Sequence, residues 1–257
     1  MLVADEGSNA PDGAPIEPAH GQASGPNRNL IAVGLLVVAA AIVAVVLVAT
    51  GGGNEGNGGG GDGNGATADV GALPDGCQDV DAPAPKEVSL SAPESLEPVG
   101  GSAVVTTSCG SFKIALDTDR APITVASFEN LVNEGVYDGT TFHRIVPGFV
   151  IQGGDPAGDG TGGPGYSVDE APPDDLVYSQ GIVAMAKSDA EPPGRSGSQF
   201  FVVLSADAGL PTDFALVGEV SEGFDVVEAI AGLGDPASPD GTPTAPVLIE
   251  QITLEAS

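Results

Sequence analysis

The 257-residue sequence has no Trp, two Cys, two His and only seven basic side chains. Each scarcity excludes something. Two Cys cannot frame a small disulfide-built domain. His20 and His143 stand far apart with no Cys nearby in a ligand spacing, so no zinc set is expected, and no cofactor of any kind. Seven basic against 36 acidic residues give a net charge of −29, which excludes a nucleic-acid binder and charge-driven docking on anionic lipid. Aromatics are missing from residues 1–101 altogether: all eight Phe and all three Tyr lie at or beyond Phe112. A compact core needs such side chains, so the folded part is expected after that point.

What fills the first hundred residues is Gly, Pro, Ala and acid. Residues 1–29 read as a disordered tail. Residues 30–49 carry no charged or polar side chain, and a helix of 20 residues spans about 30 Å, the hydrocarbon thickness of a bilayer. The segment 30–50 is therefore expected to be a transmembrane helix and the chain a single-pass membrane protein. A cleaved signal peptide is the alternative, opposed by the acidic residues before the run. Arg28, just ahead of it, points the N-terminus to the cytoplasm and the rest outside. Residues 51–101 read as a Gly-, Pro- and acid-rich linker whose last part packs against the domain.

From residue 102 the pattern becomes that of a mainly β domain extending to 257. Apolar segments at 103–107 and 112–116 flank Ser108-Cys109-Gly110-Ser111 as a hairpin. A helix opens at Pro122, with Phe128, Leu131 and Val132 on one face, and stops at Gly135. Strands are expected at 141–145, 150–152, 181–186, 199–204, 216–220 and 247–254. A second helix is expected at 224–233, with Val226, Val227 and Ile230 inward. Short strands, few helices and many turns suggest a barrel or sandwich.

The stretch Phe142-His143-Arg144-Ile145-Val146-Pro147-Gly148-Phe149-Val150-Ile151-Gln152-Gly153-Gly154-Asp155 resembles the cyclophilin-type peptidyl-prolyl cis-trans isomerases. Gly160-Thr161-Gly162-Gly163, Gly181-Ile182-Val183-Ala184-Met185-Ala186, Gly197-Ser198-Gln199-Phe200-Phe201 and Phe214-Ala215-Leu216-Val217-Gly218-Glu219-Val220 follow in the matching order. The resemblance covers about 102–255. It implies a closed eight-stranded antiparallel barrel capped by two helices, and an enzyme that accelerates rotation about X–Pro bonds in protein substrates.

On that resemblance Arg144, Phe149 and Gln152 are the catalytic residues, with Arg144 as the donor to the twisted prolyl nitrogen. Phe149, Phe201, Leu210 and Phe214 form the proline slot, and Val150 sits beside them. Phe200, next to Phe201 on an alternating strand, is expected in the core. Gln152 and Gln199 hold the substrate backbone, Ala186 and Lys187 offer main-chain groups, and Gly160 lines the neighbouring pocket. His143 has a positional role, because the reaction moves no proton. Gly209, Phe214 and Val150 stand where many eukaryotic members have Trp, His and Met, so weak cyclosporin binding is expected. Cys77 and Cys109 are a disulfide candidate if the domain lies outside the membrane, two free thiols being the alternative. The partners are proline-containing polypeptides and the chain is expected to be a monomer. The outlined role is folding of exported proteins at the outer face of the membrane; the competing reading is a non-catalytic proline-peptide-binding chaperone or scaffold.

Overall fold

The computed structural model describes residues 72–256. The tail 1–29, the apolar segment 30–50 and the start of the linker lie outside the described residues. Among the described residues no helix is long and apolar enough to cross a membrane.

The chain opens its regular structure with the hairpin β1 (Ser102–Thr107) and β2 (Gly110–Leu116), paired antiparallel from Ser102↔Ala115 to Thr107↔Gly110. Helix α1 (Pro122–Asn133) begins on a proline, whose fixed φ and missing N–H suit a first turn. No local side chain caps it. Glu170 does so from 46 and 47 residues away, accepting the N–H groups of Ile123 (3.1 Å) and Thr124 (2.7 Å). A carboxylate there also meets the positive end of the helix dipole.

Next come β3 (Thr140–Thr141), β4 (Arg144–Val146), β5 (Val150–Gly153), β6 (Val168–Asp169), β7 (Ile182–Met185), β8 (Arg195–Ser196), β9 (Phe200–Val203), β10 (Leu216–Glu222), α2 (Phe224–Ala231) and β11 (Leu248–Glu255). The main sheet has nine strands in the order β3-β11-β1-β2-β10-β7-β9-β5-β4, and β6 pairs with β8 in a separate ribbon. The strand expected at 141–145 is thus two short ones. β3 pairs with β11 and β4 with β5. The chain changes partners at Phe142 and His143, so one continuous strand over these residues does not form. Nine strands therefore stand where eight were expected.

Strand alternation sorts the side chains into two apolar clusters. Phe112, Phe128, Phe142, Ile145, Ile151, Val183, Phe200 and Val202 belong to the larger one, with Val227 and Ile230 of α2. Val150, Ala184, Phe201, Val203 and Leu216 belong to the second, with Tyr178. Phe200 is fully buried in the first and Phe201 nearly so in the second. Val226, expected inward on α2, is only partly buried, at the edge of the larger cluster.

Residues 72–101 have no regular structure, yet they are fastened along the domain. Leu73, Cys77, Val88 and Leu90 pack on the larger cluster. Cys77 is bonded to Cys109 in the β1–β2 turn. Main-chain bonds run from Gln78 N to Ser108 O, Lys86 N to Pro156 O and Leu90 N to Pro164 O. The buried Glu129 of α1 accepts the N–H groups of Val99 (2.8 Å) and Gly100 (2.7 Å).

Candidate active site

The site is built across β4, β5, β9 and β7. Register puts Arg144 opposite Gln152, Gln152 opposite Phe201, and Phe201 opposite Ala184. Directly paired residues share a sheet face, so these side chains form one row. Val150, two residues before Gln152, joins the same face. Between β4 and β5 the chain turns through Pro147 and Gly148. Gly148 takes φ +72° and Phe149 N–H returns to Val146 O at 3.0 Å. Proline followed by a glycine at positive φ fits a type II turn. The turn brings Phe149 round to Arg144, whose guanidinium carbon lies 6.0 Å from the Phe149 ring centre.

Arg144, Phe149, Val150, Gln152, Ala186, Lys187, Phe201, Leu210 and Phe214 together line a cavity of about 220 Å³. Nine of the twelve expected site residues therefore meet in one slot. Its floor is aromatic. Phe201 and Phe214 stack edge to face at 5.4 Å and 88°, and the buried Tyr178 meets Phe214 likewise at 5.9 Å and 85°. Tyr178 also grips the Phe214 main chain. Its hydroxyl donates to Phe214 O (2.6 Å) and accepts from Phe214 N–H (2.9 Å). Burial pushes the Tyr178 hydroxyl above its ordinary pKa, so it stays protonated and can donate. The sequence reading missed this residue, although a buried tyrosine must place its O–H somewhere.

Beside the slot runs a larger polar cleft of about 800 Å³, sharing Gln152, Ala186 and Lys187 with it and adding Gly160, Gln199, Ser188 and Glu191. Gln199 Nε2 donates to Gly160 O and Gly162 O, both at 3.0 Å, and Gln199 Oε1 accepts from Gln152 Nε2 at 3.0 Å. This chain fixes both amide orientations. Gln152 gives a donor to Gln199 and keeps its carbonyl oxygen as an acceptor. The Gly160 loop is itself held by the fully buried Asp155, which accepts from Gly160 N (2.6 Å) and Ala157 N (2.9 Å). Gly160 has φ +87°, a conformation other residues resist. Ala186 N–H is bonded to Gln199 O at 2.8 Å, so its carbonyl is the group it can offer a ligand.

Gly160 and Gln199 line the cleft, and His143 is the one expected residue that lines neither the slot nor the cleft. It faces a third cavity, of about 410 Å³, formed with Ala82, Pro83, Ala84 and Pro85 of the N-terminal strap. It sits beneath the Gly160 loop, where a Cβ added at Gly160 would come 3.9 Å from His143 Nε2. Burial holds its imidazole below the ordinary value, against the opposing pull of Asp155. Among the described residues no cluster of His, Cys, Asp or Glu could hold a metal ion.

The family model described as "Cyclophilin type peptidyl-prolyl cis-trans isomerase/CLD" matches residues 103–254. Peptidyl-prolyl cis-trans isomerase B of Streptomyces anulatus is 40% identical over 173 residues, 60% of this chain and 95% of that one. Peptidyl-prolyl cis-trans isomerase A of Mycobacterium tuberculosis is 40% identical over 172 residues, 59% of this chain and 91% of that one. Among solved structures, a Cryptosporidium parvum cyclophilin type peptidyl-prolyl cis-trans isomerase in the presence of the dipeptide Ala-Pro aligns with a TM-score of 0.56 and 29% identity. It covers 61% of this chain and 100% of its own.

Proposed function

The chain belongs to the cyclophilin-type peptidyl-prolyl cis-trans isomerases, and from that premise we propose that it catalyses X–Pro rotation through Arg144, in the slot closed by Phe149, Phe201, Leu210 and Phe214. Partial double-bond character puts a barrier of about 18–20 kcal/mol on the bond. At the top of that barrier the bond is twisted, conjugation is lost and the prolyl nitrogen carries a lone pair. A donor aimed at that lone pair stabilises the twisted state more than either planar one. No covalent step and no proton transfer are needed. Arg144 is permanently charged and rigidly forked, which suits this task. The apolar floor holds the ring while the acyl side turns, and the Gln152–Gln199 amides hold the substrate backbone.

One observation carries this reading: a guanidinium lines a small apolar slot with a fixed amide acceptor across from it. Isomerisation of an Ala-Ala-Pro-Phe peptide by the full-length chain tests it. The Arg144→Ala variant is expected to lose about 10²–10³-fold in kcat/KM, the effect of removing one transition-state donor. Equal rates for the two folded proteins would refute the role of Arg144. No turnover by the folded parent would leave a proline-peptide-binding module instead.

We read the nine-stranded sheet as a barrel. Its two terminal strands, β3 and β4, are separated by only Phe142 and His143, and Thr141 bridges Asp155 just beyond β5. We also place the domain on the outer face of a membrane, anchored by the apolar run 30–49, where it would act on exported proteins. The Cys77–Cys109 bond supports an oxidising compartment. External protease digesting the domain on intact cells is the expected result, and protection of the domain would reverse the assignment.

A further inference from the structure

From residue 102 onward the chain has five basic and 23 acidic side chains, a net −18. With carboxylates so abundant, pairing is the default for a cation. Lys113 holds Glu255 (2.9 Å) and Glu222 (3.5 Å). Arg120 holds Asp175 (2.8 Å) and Asp117 (3.8 Å). Arg195 grips Asp169 through two bonds of 2.7 Å. The other two, Arg144 and Lys187, have no carboxylate within 4.0 Å among the described residues, and both line the slot. The proposed reaction accounts for Arg144. It does not account for Lys187.

The Lys187 ammonium lies 5.4 Å from the centre of the Phe214 ring and makes two long bonds, to Glu191 O (3.3 Å) and Ser188 O (3.4 Å). It stands at the partition between the apolar slot and the polar cleft, lining both. Of the two acids that follow it in sequence, Asp189 makes no ion pair with it, and Glu191 directs its carboxylate elsewhere: Oε2 accepts from Ser188 N (2.7 Å) and Ser188 Oγ (2.9 Å). The ammonium therefore stays available to a carboxylate arriving from outside.

We propose that Lys187 is a specificity-determining residue that receives an acidic side chain of the substrate, borne within two positions of the bound proline. This rests on the isomerase reading of the slot and adds the class of sequence it prefers. The acids spread over the rest of the surface oppose an acidic peptide, but over longer distances. At physiological salt the Debye length is about 8 Å, so a charge at contact outweighs exposed charges beyond it.

The test uses the full-length chain and proline tetrapeptides carrying Glu, Ala or Lys two before, one before or one after the proline. At one or more positions kcat/KM for Glu is expected to exceed that for Lys about fivefold at 50 mM salt, shrinking towards unity at 0.5 M. Lys187→Gln is expected to remove the Glu/Lys ratio and Lys187→Glu to invert it. The ratio is taken within each enzyme, so a general loss of activity cancels. No discrimination at any position, a preference indifferent to salt, or a ratio that survives Lys187→Gln would overturn the proposal. The Ala peptides keep the two readings apart. If the parent turns them over without discriminating Glu from Lys, this inference alone fails. If it leaves them untouched, the isomerase reading fails and takes this inference with it.

Discussion

A proline slot depends on side chains whose positions are set by residues that never touch the substrate, and Tyr178 is the clearest here. Phe214 follows a loop, so no strand ladder fixes it before Ala215. Tyr178 supplies the missing constraint by bonding both the N–H and the C=O of Phe214. Tyr178→Phe keeps the ring and removes both bonds. One of the groups left behind is a main-chain N–H at the edge of a buried cluster, so a loss of about 1–3 kcal/mol in stability is expected. A looser Phe214 is expected to raise KM for proline peptides more than it lowers kcat, because Arg144 lies on a different strand. Peptide kinetics beside thermal melts check this; a stability loss with KM unchanged would make Tyr178 structural only. At this scale the sequence was most readable where residue and backbone task coincide. Arg144, Phe149, Val150 and Gln152 all lie within one hairpin, and their register follows from its turn. Tyr178 was not readable, since its partner lies 36 residues away and no periodic signal marks the contact. The position of His143 was also hidden. It depends on the chain changing sheet partners at that point, which a run of strand-forming residues does not reveal.

Among the elements, the strap over residues 72–101 departs furthest from what its composition suggests. Pro, Ala and acid predict a linker, and only its last part was expected to pack. The structure shows anchors along most of its length, each involving a distant group: Ser108, Pro156, Pro164 and Glu129. Lys86 adds its ammonium to the carbonyls of Val136 (3.2 Å) and Asp138 just after α1. Two of the main-chain anchors, on Pro156 and Pro164, bracket the loop whose Gly160 and Gly162 carbonyls hold Gln199. The strap is thus mechanically continuous with the polar cleft. Its covalent tie closes 32 residues between Cys77 and Cys109. On the chain-entropy account that closure contributes about 3–4 kcal/mol by restricting the unfolded chain. For a domain of this size that amounts to a melting temperature lower by about 10 °C in reductant, or in a Cys77→Ser/Cys109→Ser variant. Calorimetry with and without reductant decides it. An unchanged transition would mean that the bond contributes nothing and the other anchors suffice. The long-range helix cap by Glu170 belongs to the same class: α1 was readable from its Pro122 start and apolar face, while its capping group sits 46 residues on.

Charge is the property that belongs to the molecule as a whole. The five ion pairs of the described domain involve three cations, and each has a partner exposed enough for water and salt to weaken it. Such pairs contribute about 0–1 kcal/mol apiece. Most of the 23 carboxylates from residue 102 onward therefore have no cation beside them, and the compact state crowds them together. Unfolding relieves that crowding, so screening should stabilise the fold. Raising ionic strength from about 0.01 M to 0.1 M shortens the Debye length from about 30 Å to about 10 Å, and 1 M brings it to about 3 Å. The melting temperature is expected to rise steeply over the first interval and more gently over the second, with chloride and sulfate equivalent at low ionic strength. Screening depends on ionic strength, whereas strengthening of apolar burial depends on the identity of the salt and appears near molar concentrations. A melting temperature that is flat or falls below 0.1 M would mean that the attractive pairs outweigh the repulsion. The surplus of acid would then bear on solubility and not on the stability of the fold.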